Sequence, residues 1–415
     1  MEIMTAKPLD QKHILLGVTG SIAAYKAADL ASKLAQLGAR VNVLLTPSAT
    51  QFITPLTFQS VTGQEAYTDA ALWGAQSHVL HVGMGHTADL MIIAPATANT
   101  IARLAHGLAD NLLALTALAF GPGTAERPLV IAPAMDGGMY THPSTQENIE
   151  ILRQRGALII GPEAGHLASG LKAHGRMTEP VVLLGHIRYL LTRRGPLHGQ
   201  RVVVTAGGTQ EPIDPVRVIT NRSSGKQGFA LAQAALDQGS EVTLIAAPTA
   251  QPVPVGLEYI QVGSAAEMEI AVLKASQSAD VLLMAAAVAD FTPSHPAGQK
   301  IKKQAGAPKI DLKPTNDILA GIAAQRTQSH KPRVVFGFAA ETQDLLDNAQ
   351  AKLQAKKLDL IAANDVSAAD AGFGVDTNRV TLLRADGSRE ALPLLSKDEV
   401  AEIIVKELIK ILGKS

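Results

Sequence analysis

The chain has no cysteine, which excludes disulfides, thiolate metal sites and a cysteine nucleophile. Aromatic residues are scarce, at 3% of 415 positions. The apolar content lies instead in Ala, Val, Leu and Ile, which suits parallel sheets covered by small-residue helices. Neither sign of charge is in excess, because 37 Lys and Arg balance 37 Asp and Glu. That removes the electrostatic footprint of a nucleic-acid binder. No apolar run is long enough to span a bilayer, and the opening MEIMTAKPLDQKH lacks the apolar core of a signal peptide. These absences predict a cytoplasmic protein with neither nucleic acid nor membrane as partner.

What is present is an alternation of short aliphatic runs with amphipathic stretches. In the first half the strands are expected at 13–18, 41–45, 90–94, 129–132 and 158–160. Helices are expected at 23–37, 97–106, 145–155 and 180–191. Residues 161–177, GPEAGHLASGLKAHGRM, break the pattern and read as a structureless functional loop. A polar Pro/Gly-rich stretch, 193–199, marks a boundary. The alternation then restarts, with strands at 201–205, 241–246, 258–262, 281–285, 334–337 and 359–362. Its helices fall at 225–237, 265–276, 317–324 and 343–355, and residues 379–394 read as a hairpin before a helix at 397–412. The fold class is therefore α/β, with two doubly wound, mostly parallel, Rossmann-like domains at 1–195 and 196–415.

The stretch around which the second half is organised is TAGGTQEPIDPVRVITNRSSGKQG, residues 205–228. It follows a strand, precedes a helix, and combines glycines with hydroxyls, an amide and a lysine. Glycines let the backbone approach a ligand, and the N–H groups of a helix start attract phosphate. The first half opens with a similar turn, Gly17 to Ile22, but without the full dinucleotide glycine spacing. Its second strand ends in Thr46-Pro47-Ser48 instead of an acidic residue, favouring a mononucleotide over NAD. Two further proline-gated loops, Ala94–Thr100 and Ala132–Tyr140, fall at strand carboxyl ends, where ligands bind in such sheets.

GVTGSIAAYK, TPSATQFITPLTF, APATANT and PAMDGGMY, in that order, resemble the flavin-dependent cysteine decarboxylases. With residues 205–228, Ala285–Asp290 and Lys300–Lys303, nearly the whole chain resembles the bifunctional coenzyme A biosynthesis family. That family joins a phosphopantothenoylcysteine decarboxylase to a CTP-dependent phosphopantothenate–cysteine ligase. The resemblance implies that FMN accepts electrons from the substrate thiol, so that the adjacent carboxylate leaves as carbon dioxide. FMN would be held by Gly20, Ser21, Thr46, Ser48 and the Pro95, Ala96, Thr97, Ala98, Asn99 loop. His81 is the implied base, although periodicity does not separate it from His78 and His86. Asp136 stands where the family has asparagine gripping the substrate carboxylate, and Ser169 where it has a flap cysteine. A serine cannot take a thiol's redox role, so the alternative is an active ligase joined to an impaired or altered decarboxylase.

For the ligase half the resemblance implies an acyl-cytidylate, attacked by the amine of cysteine, with Asn221 stabilising it and Lys300 as the catalytic lysine. CTP contacts map to Gly207, Ser223, Ser224, Gly225, Ala285, Ala286, Asp290, Asn316, Asp317, Ile318, Leu319, Phe338, Lys352 and Lys356. Mg²⁺ is expected on the phosphates of CTP, with no metal ligands assigned in the chain. The long loop 291–309 is expected to close over this site, and Asn364-Asp365 to shape its pocket. By the same resemblance the first domain forms trimers and the second dimers. The substrates would be 4'-phosphopantothenate, cysteine and CTP.

Overall fold

The consecutive aliphatic runs become the central strands of two sheets. The computed structural model describes residues 7–73, 79–302, 309–341, 345–365 and 374–413. The chain divides into one unit ending at Thr192 and another beginning at Arg193.

The first unit's main strands are β1 (His13–Val18), β2 (Arg40–Leu45), β3 (Ala66–Tyr67), β4 (Leu90–Ala96), β5 (Leu129–Pro133) and β6 (Leu158–Ile159). They form one parallel sheet in the order 3-2-1-4-5-6. β1 and β4 are buried along their whole length, which explains why neither alternates apolar with polar residues. The order reverses between them, and this opens a crevice at their carboxyl ends. Helices α1 (Ala24–Gln36), α2 (Pro55–Thr62), α3 (Leu80–Thr87), α4 (Ala98–His106), α5 (Leu112–Phe120), α6 (Gly137–Thr141), α7 (Pro143–Gln154) and α8 (Pro180–Thr192) complete the unit. One core joins Leu16, Val43 and Leu183, and another joins Leu15, Met91 and Leu113. Helix α5 is absent from the sequence-based expectation because LLALTALAF is apolar all round and shows no period. It is capped by Asn111, whose side chain accepts from Ala114 N at 2.8 Å.

The second unit's strands, in chain order, begin with β9 (Arg201–Ala206), β12 (Glu241–Ala246), β13 (Glu258–Gln261) and β14 (Val281–Met284). They continue with β17 (Val334–Glu341), β18 (Leu360–Asp365), β20 (Val380–Arg384) and β21 (Arg389–Ala391). The sheet order is 13-12-9-14-17-18-20-21, parallel as far as β18 and antiparallel beyond it. Beside it, β19 (Thr377–Asn378) pairs antiparallel with β22 (Leu395–Ser396). The helices are α9 (Lys226–Asp237), α10 (Ala265–Ser276), α11 (Ile318–Ser329), α12 (Leu345–Ala355) and α13 (Lys397–Leu412). A full capping box, Ser396 with Glu399, starts α13. Among the described residues, no helix is long and apolar enough to cross a membrane.

Three stretches differ from expectation. Residues 161–177 are not structureless, because β7 (Glu163–His166) pairs antiparallel with β8 (Lys172–Arg176). Residues 205–228 contain a second small hairpin, β10 (Gln210–Pro212) with β11 (Val218–Thr220). Within 291–309, β15 (Phe291–Pro293) pairs with the later β16 (Leu312–Pro314). All are short, glycine- or proline-rich, and lack enough apolar alternation to register as strands.

Candidate functional site

In the first unit the expected cofactor residues converge on the carboxyl ends of β1, β2 and β4. Thr19 ends the turn from β1: its hydroxyl donates to Pro95 O at 2.7 Å and accepts from Thr97 N at 3.0 Å. Thr97 in turn caps α4, accepting from Thr100 N at 3.3 Å. This leaves Ala96 buried and Asn99 exposed at the loop's tip. Behind the first turn, a Cβ added to Gly20 would fall 2.3 Å from Ser48 Cβ. The turn after β1 and the loop after β2 therefore meet too closely for any residue but glycine at position 20. Ser21 Oγ accepts from Ala23 N at 3.2 Å, and buried Thr46 accepts from Ala49 N at 3.3 Å.

An open cavity of about 350 Å³ adjoins Ser21, lined also by Lys26, Met135, Asp136, His166, Ser169 and Arg176. The β7–β8 hairpin builds its far wall. Met135 N donates to Gly175 O at 3.0 Å, and a Cβ on Gly137 would lie 2.6 Å from Ala173 Cβ. That close packing brings together two residues 33 apart in sequence: Ser169 Oγ donates to Asp136 Oδ2 at 2.6 Å. Asp136 also caps α6, its other oxygen accepting from Gly138 N at 3.0 Å. The serine hydroxyl, then the backbone donors, hold the Asp136 carboxyl below the ordinary carboxylate range. Lys26 pairs with Glu179 at 2.9 Å, and Arg176 pairs with the same carboxylate. Two cations thus face a cavity that also holds an ionised aspartate.

His81 lies on α3 and is not among the residues lining this cavity. Its Nδ1 is buried without a hydrogen-bond partner among the described residues. His86 is exposed, and His78 lies outside the described residues. α3 is anchored by Arg127, which donates to Ala88 O at 3.1 Å and to Gly85 O while stacking on Phe120.

In the second unit the end of β9 is stitched to the segment after β14. Thr205 Oγ1 accepts from Ala285 N and Ala286 N, each at 3.1 Å, and Thr209 Oγ1 accepts from Ala289 N at 2.9 Å. Ala287 N donates to Gly207 O at 2.8 Å. Onto this seam folds Asn221, whose Nδ2 donates to Ala287 O at 3.3 Å and to Val288 O at 3.2 Å. Gly225, the residue that caps the start of α9, sits in the left-handed region, φ 75°, which glycine adopts without strain.

A small cavity of about 70 Å³ lies at that helix start, lined by Ser223, Ser224, Gly225, Ala285, Phe338, Asn364, Asn378 and Lys397, among others. Asn364 Oδ1 points into buried surroundings with no partner among the described residues. Burial, then the neighbouring Lys226, pushes the Lys397 ammonium below the ordinary lysine value. Asn378 and Lys397 escape a reading of the sequence, since one falls just before the expected hairpin and the other opens an amphipathic helix. Only their place in the fold brings them under Ser223–Gly228.

The remaining expected contacts form a second group. Asp317 caps α11, accepting from Ala320 N at 3.0 Å, and pairs with Lys356. Burial raises its pKa, but Lys356 and the cap donors outweigh this, so the carboxyl is held below its usual value. Lys352 Nζ donates to Phe338 O at 2.8 Å, and Asn316 donates to Glu269 at 2.9 Å. Ile318 and Leu319 are buried beneath this cap. Asp290 and Lys300 are exposed. Lys303, part of the same charge run, lies outside the described residues. Among the described residues, no cluster of three or more His, Asp or Glu is placed to hold a metal ion.

Two family models divide the chain: "Flavoprotein" matches residues 3–191, and "DNA/pantothenate metabolism flavoprotein C-terminal domain" matches residues 197–412. The coenzyme A biosynthesis bifunctional protein CoaBC of Bacillus subtilis is 46% identical over 96% of this chain and 97% of its own. The protein of the same name from Vibrio cholerae is 44% identical over 95% and 97%. Among solved structures, the C-terminal domain of a CoaBC protein is 38% identical, covering 53% of this chain and all of its own, at TM-score 0.46.

Proposed function

The chain belongs to the family of coenzyme A biosynthesis bifunctional proteins, and from that premise we propose how its two units divide the work. The first, assigned to residues 1–195, is the phosphopantothenoylcysteine decarboxylase, and the second, 196–415, is the phosphopantothenate–cysteine ligase. The ligase uses CTP and Mg²⁺ to join 4'-phosphopantothenate to cysteine, and the decarboxylase converts the product to 4'-phosphopantetheine. The family match over nearly the full length carries this reading. Cytoplasmic location and homo-oligomerisation, trimeric through the first unit and dimeric through the second, are part of the same proposal.

The first unit suits FMN because glycine at position 20 lets the turn after β1 pack directly on the loop after β2, drawing the expected cofactor residues of both loops together. Gly20, Ser21, Thr46, Ser48 and Pro95 to Asn99 would hold it, with Thr19 locking two of those loops together. Bound there, the flavin would accept two electrons from the substrate's thiol and so make the carboxylate a leaving group. The chain's own part is to orient the substrate and exclude competing chemistry. His81 would hold the proton taken from the substrate, and Lys26 and Arg176 would supply positive charge beside the cavity.

In the second unit, Ser223, Ser224 and the open N–H groups at the start of α9 would receive the phosphates. Lys300 would balance charge developing on them, and Asn221 would steady the acyl-nucleotide through its amide. Asp290, Phe338, Asp317 with its neighbours, and Lys352 and Lys356 would seat the rest of CTP. Mg²⁺ would arrive on the triphosphate of CTP.

One observation favours a second reading of the first unit. The flap position, where the family's cysteine would assist reduction of the ene-thiol product, carries Ser169, bonded to Asp136, and no cysteine exists to replace it. Bound FMN would then have to supply both electrons for that reduction without help from a thiol, or decarboxylation would halt after one turnover. Purified protein supplied with phosphopantothenoylcysteine and no added thiol decides between them. Sustained carbon dioxide release with phosphopantetheine supports the full decarboxylase. One equivalent per chain followed by arrest supports the impaired one. Pyrophosphate release that requires both CTP and cysteine tests the ligase, and its absence would sink that half.

A further inference from the structure

Asp214 lies in the turn of the β10–β11 hairpin, where a carboxylate is normally solvated, yet it is only 2% exposed. One oxygen, Oδ1, accepts from the backbone N–H of Val216 and of Arg217, each at 2.9 Å. The other, Oδ2, accepts from Arg217 at Nε (3.0 Å) and Nη2 (2.5 Å). So far this is a turn closed on itself. The same Oδ2 also accepts from Ile301 N at 3.1 Å, 87 residues later in the chain. Arg217 Nη2 in turn donates to Ile301 O at 2.9 Å.

The pair therefore grips both polar groups of one residue's backbone, as a neighbouring strand would, but from side chains. Ile301 is flanked by Lys300 and Lys302, both exposed. A second bond, Ala297 N to Ile213 O at 2.9 Å, fastens the same segment to the same turn. From Arg217 the chain runs through β11 straight to Asn221. One ion pair with a buried carboxylate thus indexes two otherwise separate pieces of backbone, one carrying Asn221 and the other Lys300.

We infer that Asp214 and Arg217 are positioning residues for the ligase reaction, setting Lys300 in place relative to Asn221 through the backbone of Ile301. This rests on the ligase reading above. An exposed lysine keeps its rotamers, but a fixed backbone beneath it sets the point from which they reach. Arginine is required because a planar fork reaches the carboxylate and the Ile301 carbonyl together, which an ammonium cannot do. Aspartate is required because five donors converge on it, and an amide would present one of its own N–H groups to them. Arg217, then the backbone donors, hold the Asp214 carboxyl far below the usual carboxylate range, so the grip persists at any physiological pH.

A double-mutant cycle on the full chain tests this, reading cysteine-dependent pyrophosphate release for wild type, Asp214→Ala, Lys300→Gln and the double variant. Asp214→Ala alone should lower the rate on the order of 10- to 100-fold. In the Lys300→Gln background the same change should cost less than about twofold, since the group it positions is gone. Equal losses in both backgrounds, or no loss in the first, overturn the inference while leaving the ligase reading intact. If wild type itself releases no cysteine-dependent pyrophosphate, the ligase reading fails and takes the inference with it. Should Asp214→Ala not fold, Arg217→Lys runs the same cycle, retaining the cation but not the reach to Ile301. A loss confined to the Lys300 background again supports the inference, and equal losses again overturn it.

Discussion

Asp136 keeps its charge because two donors serve it, and one of them is the hydroxyl of Ser169. Removing that donor should release the carboxyl toward its ordinary value. With a depressed folded pKa, Asp136 contributes stability that is present above its unfolded value and lost as the pH falls through the folded one. Ser169→Ala should therefore raise the Asp136 pKa and shift that loss to higher pH, as carbon-detected carboxyl titration would report. An unchanged titration would mean that Gly138 N alone sets the value. Asn221 obeys the opposite chemistry. Its Nδ2 points at the carbonyls of Ala287 and Val288, so Asn221→Asp would set an anion against two acceptors. The ligation rate should fall on the order of 10²- to 10³-fold, and a rate within about threefold of wild type would remove Asn221 from its proposed role. Both residue types are visible in the sequence. Their neighbours are not, because Asp136 meets Ser169, and Asn221 meets Ala287, only through packed hairpins and seams that no local pattern encodes.

At the scale of elements, the parallel strands are legible because β1, β4 and β9 are continuous aliphatic runs. Helix α4 is legible through its Thr97 cap. The β7–β8 and β10–β11 hairpins are not, since their stability comes from backbone pairing and from contacts such as Met135 with Gly175, which leave little trace in hydropathy. Helix α5 is hidden for the reverse reason, being uniformly apolar. The meeting of the loops after β1 and β2 yields a sharp expectation. A methyl on Gly20 must displace Ser48, at about 1–3 kcal/mol, so Gly20→Ala should hold FMN roughly ten- to a hundredfold less tightly. Flavin content after gel filtration measures this, and full retention would place the cofactor elsewhere.

At the scale of the whole molecule, the apolar cores described for each unit draw on that unit's own residues: Leu9 to Ile187 in the first, and in the second a cluster from Val203 to Leu383. Ligands proposed for one unit should therefore protect that unit selectively. By mass action, a ligand at about a hundred times its Kd adds about 2.7 kcal/mol to the state that binds it. Calorimetry should show FMN raising one thermal transition and CTP with Mg²⁺ raising another. A single transition raised by both ligands would refute that assignment.

The hairpin turn that offers Ser169 also decides what this protein is vulnerable to. An alcohol at that corner, in a chain without a single thiol, gives iodoacetamide, disulfide exchange and nitrosylation no cysteine to attack. The oxidisable sulfur left in the cavity wall is thioether, at Met135 and Met177. Peroxide would thus add a sulfoxide oxygen there, a lesion that methionine sulfoxide reductases reverse, where a thiol could be carried on to irreversible acids. Whatever reductive power the serine gives up, the site gains in resistance to electrophiles and oxidants.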